Sequence, residues 1–284
     1  MSATYWEKVH RGADLAVPED RPLADLTTEL TRMLGDTDPH LRDDLAYPTL
    51  ATWVERGEYD DLLLGLGDGM AAGLRVGVGE TGTDSVFRRS FSALVLCECI
   101  ARDTNLPLVP GGKVLEWGDR VATWLLAEQD LRGYVPGKGW AHAVAHGADA
   151  IGALACSPHI GAAELAVLLD VIAERLVRPV EALFVNEEPD RLAVATFEVL
   201  RRDKVTIEVL EPWVERIADA ARRHERGLDR DPHLDSGNAE AFLRALYLQL
   251  ALGPRPPAVR ADLLLVLVDA LRGTNPSYLG PTPG

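Results

Sequence analysis

Apolar residues recur at helical spacing in nearly every segment between turn residues, and no segment shows the convincing alternation that a half-buried strand requires. The pattern therefore predicts an all-α protein. The clearest helix start is Asp38-Pro39, because aspartate can accept a hydrogen bond from a free backbone N–H and proline suits the first helical position. This helix should run to Gly57. About ten further helices are predicted, near residues 22–34, 60–74, 84–103, 113–128, 139–155, 161–177, 189–203, 208–226, 237–252 and 257–272.

Helices of about 15 residues with short connections are typical of stacked helical hairpins. We therefore predict a right-handed solenoid of the HEAT or armadillo type. Trp53, Trp124 and Trp213 stand at similar points in three of the helices, at separations near twice the ~40-residue period of such repeats, although chance repetition explains this equally well. No linker divides the chain, so one domain over 1–284 is the simplest prediction, with a loose tail at 274–284.

A glycine-rich stretch at 65–79 invites comparison with a phosphate-binding loop. No predicted strand precedes it, and no Lys-Ser or Lys-Thr pair follows it to meet a phosphate or a magnesium ion. We interpret the stretch as a helix that ends in a flexible loop.

Charge and composition narrow the classes of partner. The 284 residues are 47% hydrophobic, and 44 acidic against 29 basic residues give a formal charge of −15. A field of that sign repels nucleic acid and anionic membrane surfaces, so neither is predicted as a partner. The first residues lack the apolar core of a signal peptide, and apolar runs such as Leu263–Val268 fall far short of the ~18 residues of a membrane span.

The three cysteines, Cys97, Cys99 and Cys156, are too few for a disulfide framework and lie in apolar sequence surroundings, as buried thiols do. Cys97 and Cys99 would point about 200° apart on a helix, so they cannot chelate one metal together. We expect a cytoplasmic protein.

One predicted helix carries an unusual polar stripe. On the helix predicted at 139–155, His142, His146 and Asp149 fall within an arc of about 60°. Most other residues of this helix are apolar, so the stripe should be buried, which costs several kcal/mol unless its groups are paired. Partners are predicted among nearby charged residues: Glu128, Asp130 and Arg132 just upstream, and Arg88, Arg89 and Glu98 on the helix near 84–103.

These residues predict a polar pocket that binds or processes a small-molecule or peptide ligand. Asp149 lies one turn after His146 and can fix its tautomer and raise its basicity, which makes His146 a candidate general base with His142 beside it. Arg89 and Arg132 could offer bidentate contacts to an anionic ligand, and Trp140 is a further candidate ligand contact. No cofactor is predicted for this pocket, and the sequence does not indicate an oligomeric state.

Two alternatives remain open. Histidines four apart suit a divalent metal, so His142 and His146 could serve a metal-assisted hydrolase whose shell is completed by Glu98, Glu128 or Asp130, or by His159. Against this, Ala143 replaces the glutamate that zinc peptidases use as a base, and Asp149 would lie about 10 Å along the axis from His142. The second alternative is a scaffold that binds a protein partner and uses the polar cluster only for its own stability.

The central segment resembles a bacterial family. Glu128-Gln129-Asp130-Leu131-Arg132-Gly133-Tyr134-Val135 and then Lys138–Asp149 resemble the signature of the domain of unknown function 2785, and Asp38-Pro39, Leu41–Asp43, Arg89–Ser92, Glu188 and Arg191-Leu192 resemble other pieces of that pattern. The resemblance extends over about residues 25–220. It implies no activity, only that one assembly contains Arg42, Arg89, Glu128, Asp130, Arg132, His142, His146, Asp149 and Arg191.

Overall fold

Thirteen α-helices contain most of the residues that the computed structural model describes, which are 3–12, 15–223 and 231–279. The chain divides into two compact units, 1–159 and 160–284. The prediction of a single domain stays a prediction, since two compact units can belong to one domain. None of the described helices is both long enough and apolar enough to cross a membrane.

The first unit contains seven helices and a short hairpin. A π-helical segment, His40–Ala46, leads into α3, and a 3₁₀ turn, Asp60–Leu62, leads into α4. The elements in chain order are α1 Ala3–Arg11, α2 Leu23–Met33, α3 Tyr47–Arg56, α4 Leu63–Gly73, α5 Ser85–Asn105, α6 Gly111–Ala127, β1 Tyr134–Val135, β2 Gly139–Trp140 and α7 Ala143–Cys156.

The second unit contains six helices, α8 Ala162–Val177, α9 Glu188–Leu200, α10 Ile207–Ala221, α11 His233–Leu252, α12 Arg260–Thr274 and α13 Pro276–Leu279. The predicted helix at 208–226 thus ends at Ala221, and its residues 224–226 lie outside the described residues. Of the tail predicted at 274–284, Pro276–Leu279 is helical and 280–284 lie outside the described residues.

Alternate helices pack on one another within each unit. In the first unit, α5 packs against α3, α4 and α7, and α6 packs against α4 and α7. In the second, α10 packs against α8 and α12, and α9 packs against α11. The buried faces are mostly Leu, Val, Ala and Trp, with Trp6, Trp53 and Trp117 among the largest fully buried side chains. The helical fold predicted from apolar spacing is confirmed at this level.

The predicted helix start at Asp38 is confirmed. The Asp38 carboxylate accepts a hydrogen bond from the backbone N–H of His40 at 2.9 Å, and the helical stretch that follows ends at Gly57, which has a left-handed φ of +85°. Glycine suits that position because a Cβ there is costly.

Three predictions need correction. The helix predicted at 139–155 begins only at Ala143, because Gly139 and His142 have φ values of +79° and +49°, which a right-handed helix excludes. An antiparallel pair, Tyr134 opposite Trp140, occupies the preceding segment, where no strand was predicted. The cysteines are also less uniformly buried than expected, since Cys97 is half-buried and Cys156, the last residue of α7, is exposed.

The glycine-rich stretch is a helix that packs closely on its neighbours. Gly65 to Gly73 lie within α4, and turns follow from 74 to 79. A Cβ at Gly67 would collide with the indole of buried Trp117 on α6, and one at Gly73 would collide with Ser92 on α5. The glycines therefore permit close contact between helices, and the interpretation as a helix rather than a phosphate loop is confirmed.

This packing predicts opposite effects for two glycines of the same helix. Gly67→Ala should lower the free energy of unfolding by about 1–3 kcal/mol through overpacking against Trp117. Gly69→Ala is the matched control, because nothing lies within 4 Å of its added Cβ, and it should raise stability by about 0.5–1 kcal/mol through helix propensity. Urea unfolding measures both, and equal effects would contradict the assignment of Gly67 to a close helix contact.

Candidate functional site

A buried ion pair joins α5 to the end of α6. The Arg89 guanidinium donates from Nε and Nη2 to the two carboxylate oxygens of Glu128, at 2.6 and 2.9 Å, and both side chains are 0% exposed. Its Nη1 donates to the carbonyls of Val76 and Gly77, both at 2.8 Å, and to the Ser85 hydroxyl at 2.7 Å. Every nitrogen of Arg89 that can donate is therefore occupied inside the protein.

Glu128 is equally saturated. Besides Arg89, its carboxylate accepts hydrogen bonds from the Trp124 indole at 2.9 Å and from the backbone amides of Gln129 and Asp130 at 3.0 and 2.9 Å. A charged group inside a protein is tolerated when it is paired and hydrogen-bonded in this way. The carboxylate thus ends α6 and fixes the direction of the chain that leaves it.

Asp130 and Arg132 extend this network towards the surface. The Arg132 Nε and Nη2 donate to the two Asp130 oxygens at 2.8 and 2.7 Å, and Asp130 also accepts from the Gly82 amide at 2.9 Å. Arg132 Nη2 donates to the Thr83 carbonyl at 2.7 Å, and its side chain is 33% exposed. These contacts attach the segment after α6 to the turn before α5.

Arg42, in the π-helical segment, holds the hairpin from the other side. It is fully buried, and its guanidinium lies 4.1 Å from the centroid of the Phe87 ring. Its nitrogens donate to the Asp36 carbonyl at 2.7 Å and to the Lys138 carbonyl at 2.6 Å. They also donate to the Asp43 carboxylate at 2.6 Å. Burial lowers the pKa of Arg42, and Asp43 opposes that effect. A second link is the Lys138 ammonium, which donates to Asp84 at 2.5 Å.

A continuous row of rings begins on the hairpin and continues through α7 to α5. We call it the aromatic strip: Tyr134, Trp140, His142, His146 and Phe91. Trp140 contacts Tyr134 edge-on at 5.0 Å and stacks on His142 at 4.4 Å with 21° between the planes. His142 meets His146 at 5.8 Å, and His146 meets Phe91 at 5.0 Å. Tyr134 and Trp140 are 53% and 40% exposed, whereas His146 is buried, so the strip leads from the surface into the core.

His142 reaches the strip through an unusual backbone conformation. Its φ and ψ of +49° and +34° are left-handed, a region that costs a non-glycine residue on the order of 1 kcal/mol or more. Its amide donates to the Arg132 carbonyl at 3.1 Å, and its carbonyl accepts from the His146 amide at 2.9 Å. His146 Nδ1 in turn lies 3.2 Å from the Ser90 carbonyl.

A half-buried carboxylate lies near the inner end of the strip. The Tyr47 hydroxyl donates to Glu98 Oε1 at 2.8 Å, and the Tyr47 ring meets Phe91 at 6.3 Å. Burial raises the pKa of Glu98, the charges of Glu55 and Asp149 act in the same direction, and the hydrogen bond from Tyr47 opposes them. Burial and the neighbouring Glu98 together raise the pKa of Tyr47. Within the described part of the chain, no cation forms an ion pair with Glu98.

Among the described residues, no group of three or more His, Cys, Asp and Glu side chains is arranged to hold a metal ion. His159 was considered as a third nitrogen ligand. Its Nε2 atom lies 3.4 Å from the Asp103 Oδ2 atom. The arrangement offers instead an exposed stacking surface at one end, imidazoles in the middle and a carboxylate at the other end.

The comparisons with known proteins identify a family. The model of the family described as "Protein of unknown function (DUF2785)" matches residues 74–248, more than half of the chain. The chain belongs to the DUF2785 family. Neither the curated proteins nor the solved structures give a match. The predicted resemblance is therefore confirmed, although the match begins and ends later than the predicted range of 25–220.

The structure of this DUF2785 protein brings most of the predicted residues together. Arg42, Arg89, Glu128, Asp130 and Arg132 form one network around the hairpin, and Trp140, His142 and His146 form the strip. Arg89 was expected to offer its guanidinium to an anion, but Glu128 occupies it. Asp149 is half-buried on α7, and its orienting role towards His146 stays a prediction. Arg191 lies on α9 in the second unit, and its predicted role also stays untested.

Tyr47, Phe91 and Tyr134 are site residues that the sequence interpretation did not select. The signal for Tyr134 was present, because two aromatic residues, Tyr134 and Trp140, flank the turn Val135-Pro136-Gly137-Lys138-Gly139, which is a hairpin pattern. For Tyr47 and Phe91 no local signal exists, because their contacts join different helices.

The buried pair predicts a large penalty for an isosteric change in this DUF2785 protein. Glu128→Gln should lower the free energy of unfolding by about 3–5 kcal/mol, because it leaves the Arg89 charge buried without a counter-ion. Glu58→Gln, at an exposed position, is the control and should stay within about 0.5 kcal/mol. Chemical denaturation measures both, and a loss below about 1 kcal/mol for Glu128→Gln would show that the pair does not hold the segment.

The backbone of His142 predicts an order among its variants. His142→Gly should be more stable than His142→Ala by about 1 kcal/mol, because only glycine adopts the left-handed conformation without a Cβ penalty. Both variants lose the same stacking with Trp140, so their difference isolates the backbone effect. Thermal unfolding compares them, and an alanine variant as stable as the glycine variant would contradict the left-handed conformation.

Proposed function

We propose that this protein is a binding protein whose ligand carries a planar ring and stacks on the outer end of the aromatic strip. The observation that carries the proposal is the Trp140 ring, 40% exposed and stacked on His142. Tryptophan is enriched where protein surfaces meet their partners, and ring stacking is worth roughly 0.5–1.5 kcal/mol beyond the area buried. The hairpin that carries Trp140 is fixed by Arg42 and Arg132, so little ordering is needed when a ligand binds.

Rings rather than arginines are the recognition groups in this proposal. Arg42 and Arg89 are fully buried, and the Arg132 guanidinium is already paired with the Asp130 carboxylate. An anionic group of the ligand would therefore have to compete with an internal carboxylate. His142 supports the Trp140 ring on the face away from the ligand, and His146 remains the candidate general base, with Asp149 one helical turn further on α7.

A metal-assisted reaction is not favoured by any observation at this site, because the described residues near His142 and His146 supply no third ligand. The proposal therefore does not use the two imidazoles as metal ligands.

The packing of alternate helices also supports the predicted architecture. In a stack of helical hairpins, each helix packs against the helix two positions away in the chain as well as against its hairpin partner. The series α3, α5 and α7 in the first unit, and α8, α10 and α12 in the second, follow this rule. We propose that each unit is a HEAT-like stack, and that the exposed thiol of Cys156 fits a reducing, cytoplasmic location.

A pair of neutral probes of similar size tests the stacking function. 2-Naphthol should bind with a Kd in the millimolar range or below and shift the indole N–H resonance of Trp140, whereas its saturated analogue decahydro-2-naphthol should bind at least about tenfold more weakly, because only the planar ring stacks. Trp140→Ala should abolish the binding of 2-naphthol.

The matched control is Tyr278→Ala, which removes an exposed aromatic residue, 89% exposed, on α13 and should leave the Kd unchanged. Equal affinities for the planar and saturated probes, or unchanged binding after Trp140→Ala, would overturn the proposed function.

A further inference from the structure

A cleft lies between α4 and α6 and shares no residue with the aromatic strip. Its volume is about 540 Å³, within the range of small-molecule sites. Ala71, Ala72 and Val76 form its apolar part, and its charged residues are Asp68, Arg75, Lys113, Glu116 and Arg120.

The two carboxylates of the cleft share one ammonium. The Lys113 ammonium lies 3.0 Å from Asp68 Oδ1 and 3.0 Å from Glu116 Oε2. Asp68 Oδ1 also accepts a hydrogen bond from the indole of buried Trp117 at 2.9 Å. These contacts lower the pKa of Asp68 despite its partial burial and raise that of Lys113. One ammonium thus links both acids and offsets one of their two negative charges.

The two guanidiniums of the cleft are held less tightly than its ammonium. Arg120 forms an ion pair with Glu116 at 3.8 Å, a distance too long for a hydrogen bond. The guanidinium of Arg75, an exposed residue after the end of α4, makes no hydrogen bond or ion pair with another described residue. The cleft contains three cationic and two acidic side chains. Its local charge is therefore positive, whereas the net charge of the whole chain is −15.

We propose that this cleft binds a small organic anion. Arg75 and Arg120 would bind its carboxylate or phosphate group, since planar guanidinium forks suit both, and a short apolar body would rest on Ala71, Ala72 and Val76. Lys113, in the first turn of α6, adds positive charge where the helix dipole is also positive. The contacts to the anion come from side chains, so this site is unlike the glycine-loop phosphate site that the sequence of α4 fails to support.

The Trp117 indole N–H offers a direct readout, because it donates to Asp68 in the wall of the cleft. Inorganic phosphate and succinate serve as probes in a ¹H–¹⁵N titration of the whole protein, with ionic strength held constant by sodium chloride. We expect a saturable shift of the Trp117 resonance, which Trp117→Phe assigns, with a Kd in the millimolar range. Saturation by phosphate alone or by succinate alone identifies the anionic group that the cleft prefers.

The double variant Arg75→Gln, Arg120→Gln should weaken binding at least tenfold, and Arg75→Lys, which keeps the charge but loses the fork, should weaken it less. Arg272→Gln, an exposed arginine of α12 outside the cleft, is the matched control and should leave the Kd unchanged. Both arginines are exposed, so the variants should unfold at the temperature of the parent protein.

The proposal is wrong if the shift rises linearly without saturation, if sodium chloride alone reproduces it, or if the double variant binds both probes as the parent does. Because Trp140 is not part of this cleft, a failed 2-naphthol experiment and a failed phosphate experiment remain separate results.

Discussion

The first unit depends on one interaction, the buried contact between Arg89 and Glu128. Two opposite charges with no solvent contact add little net stability compared with well-packed apolar side chains, because both must be desolvated. Their effect is on conformation. The Glu128 carboxylate accepts at least five hydrogen bonds, from Arg89, Trp124 and the next two amides, and only one path of the chain satisfies them all. The pair therefore determines where α6 ends and where the hairpin begins.

The contacts made by the residues after Glu128 define the geometry of the aromatic strip. Asp130 and Arg132 attach the next segment to the turn before α5, and Arg42 attaches Lys138 from the π-helical segment. The hairpin then has little freedom, and His142 adopts a left-handed conformation between it and α7. Strain of this kind persists when the surroundings define the conformation by several independent contacts. Exposed rings on so constrained a segment are arranged before any ligand arrives.

The sequence predicted the helices well because apolar spacing and capping residues are local signals. The start at Asp38 and the end at Gly57 both matched the structure. It also selected the charged residues around Glu128, since ionisable groups in apolar surroundings require partners. It missed the hairpin because Trp140 and His142 continue an apolar, helix-like pattern, whereas two positive φ values interrupt the helix. It could not assign Glu128 to Arg89, because that choice depends on how α5 and α6 pack, which no local pattern records.

Gly67 shows how a packing constraint can become a constraint on recognition. Without a side chain, it lets α4 approach the Trp117 ring of α6 closely, and the next residue, Asp68, receives the indole hydrogen bond on the wall of the cleft. The separation of the two helices sets both the packing of the tryptophan and the width of the cleft. A larger residue at position 67 would push the walls apart and change the size of ligand that the cleft accepts. Substitution at this single buried position would thus alter selectivity without touching any residue that contacts the ligand.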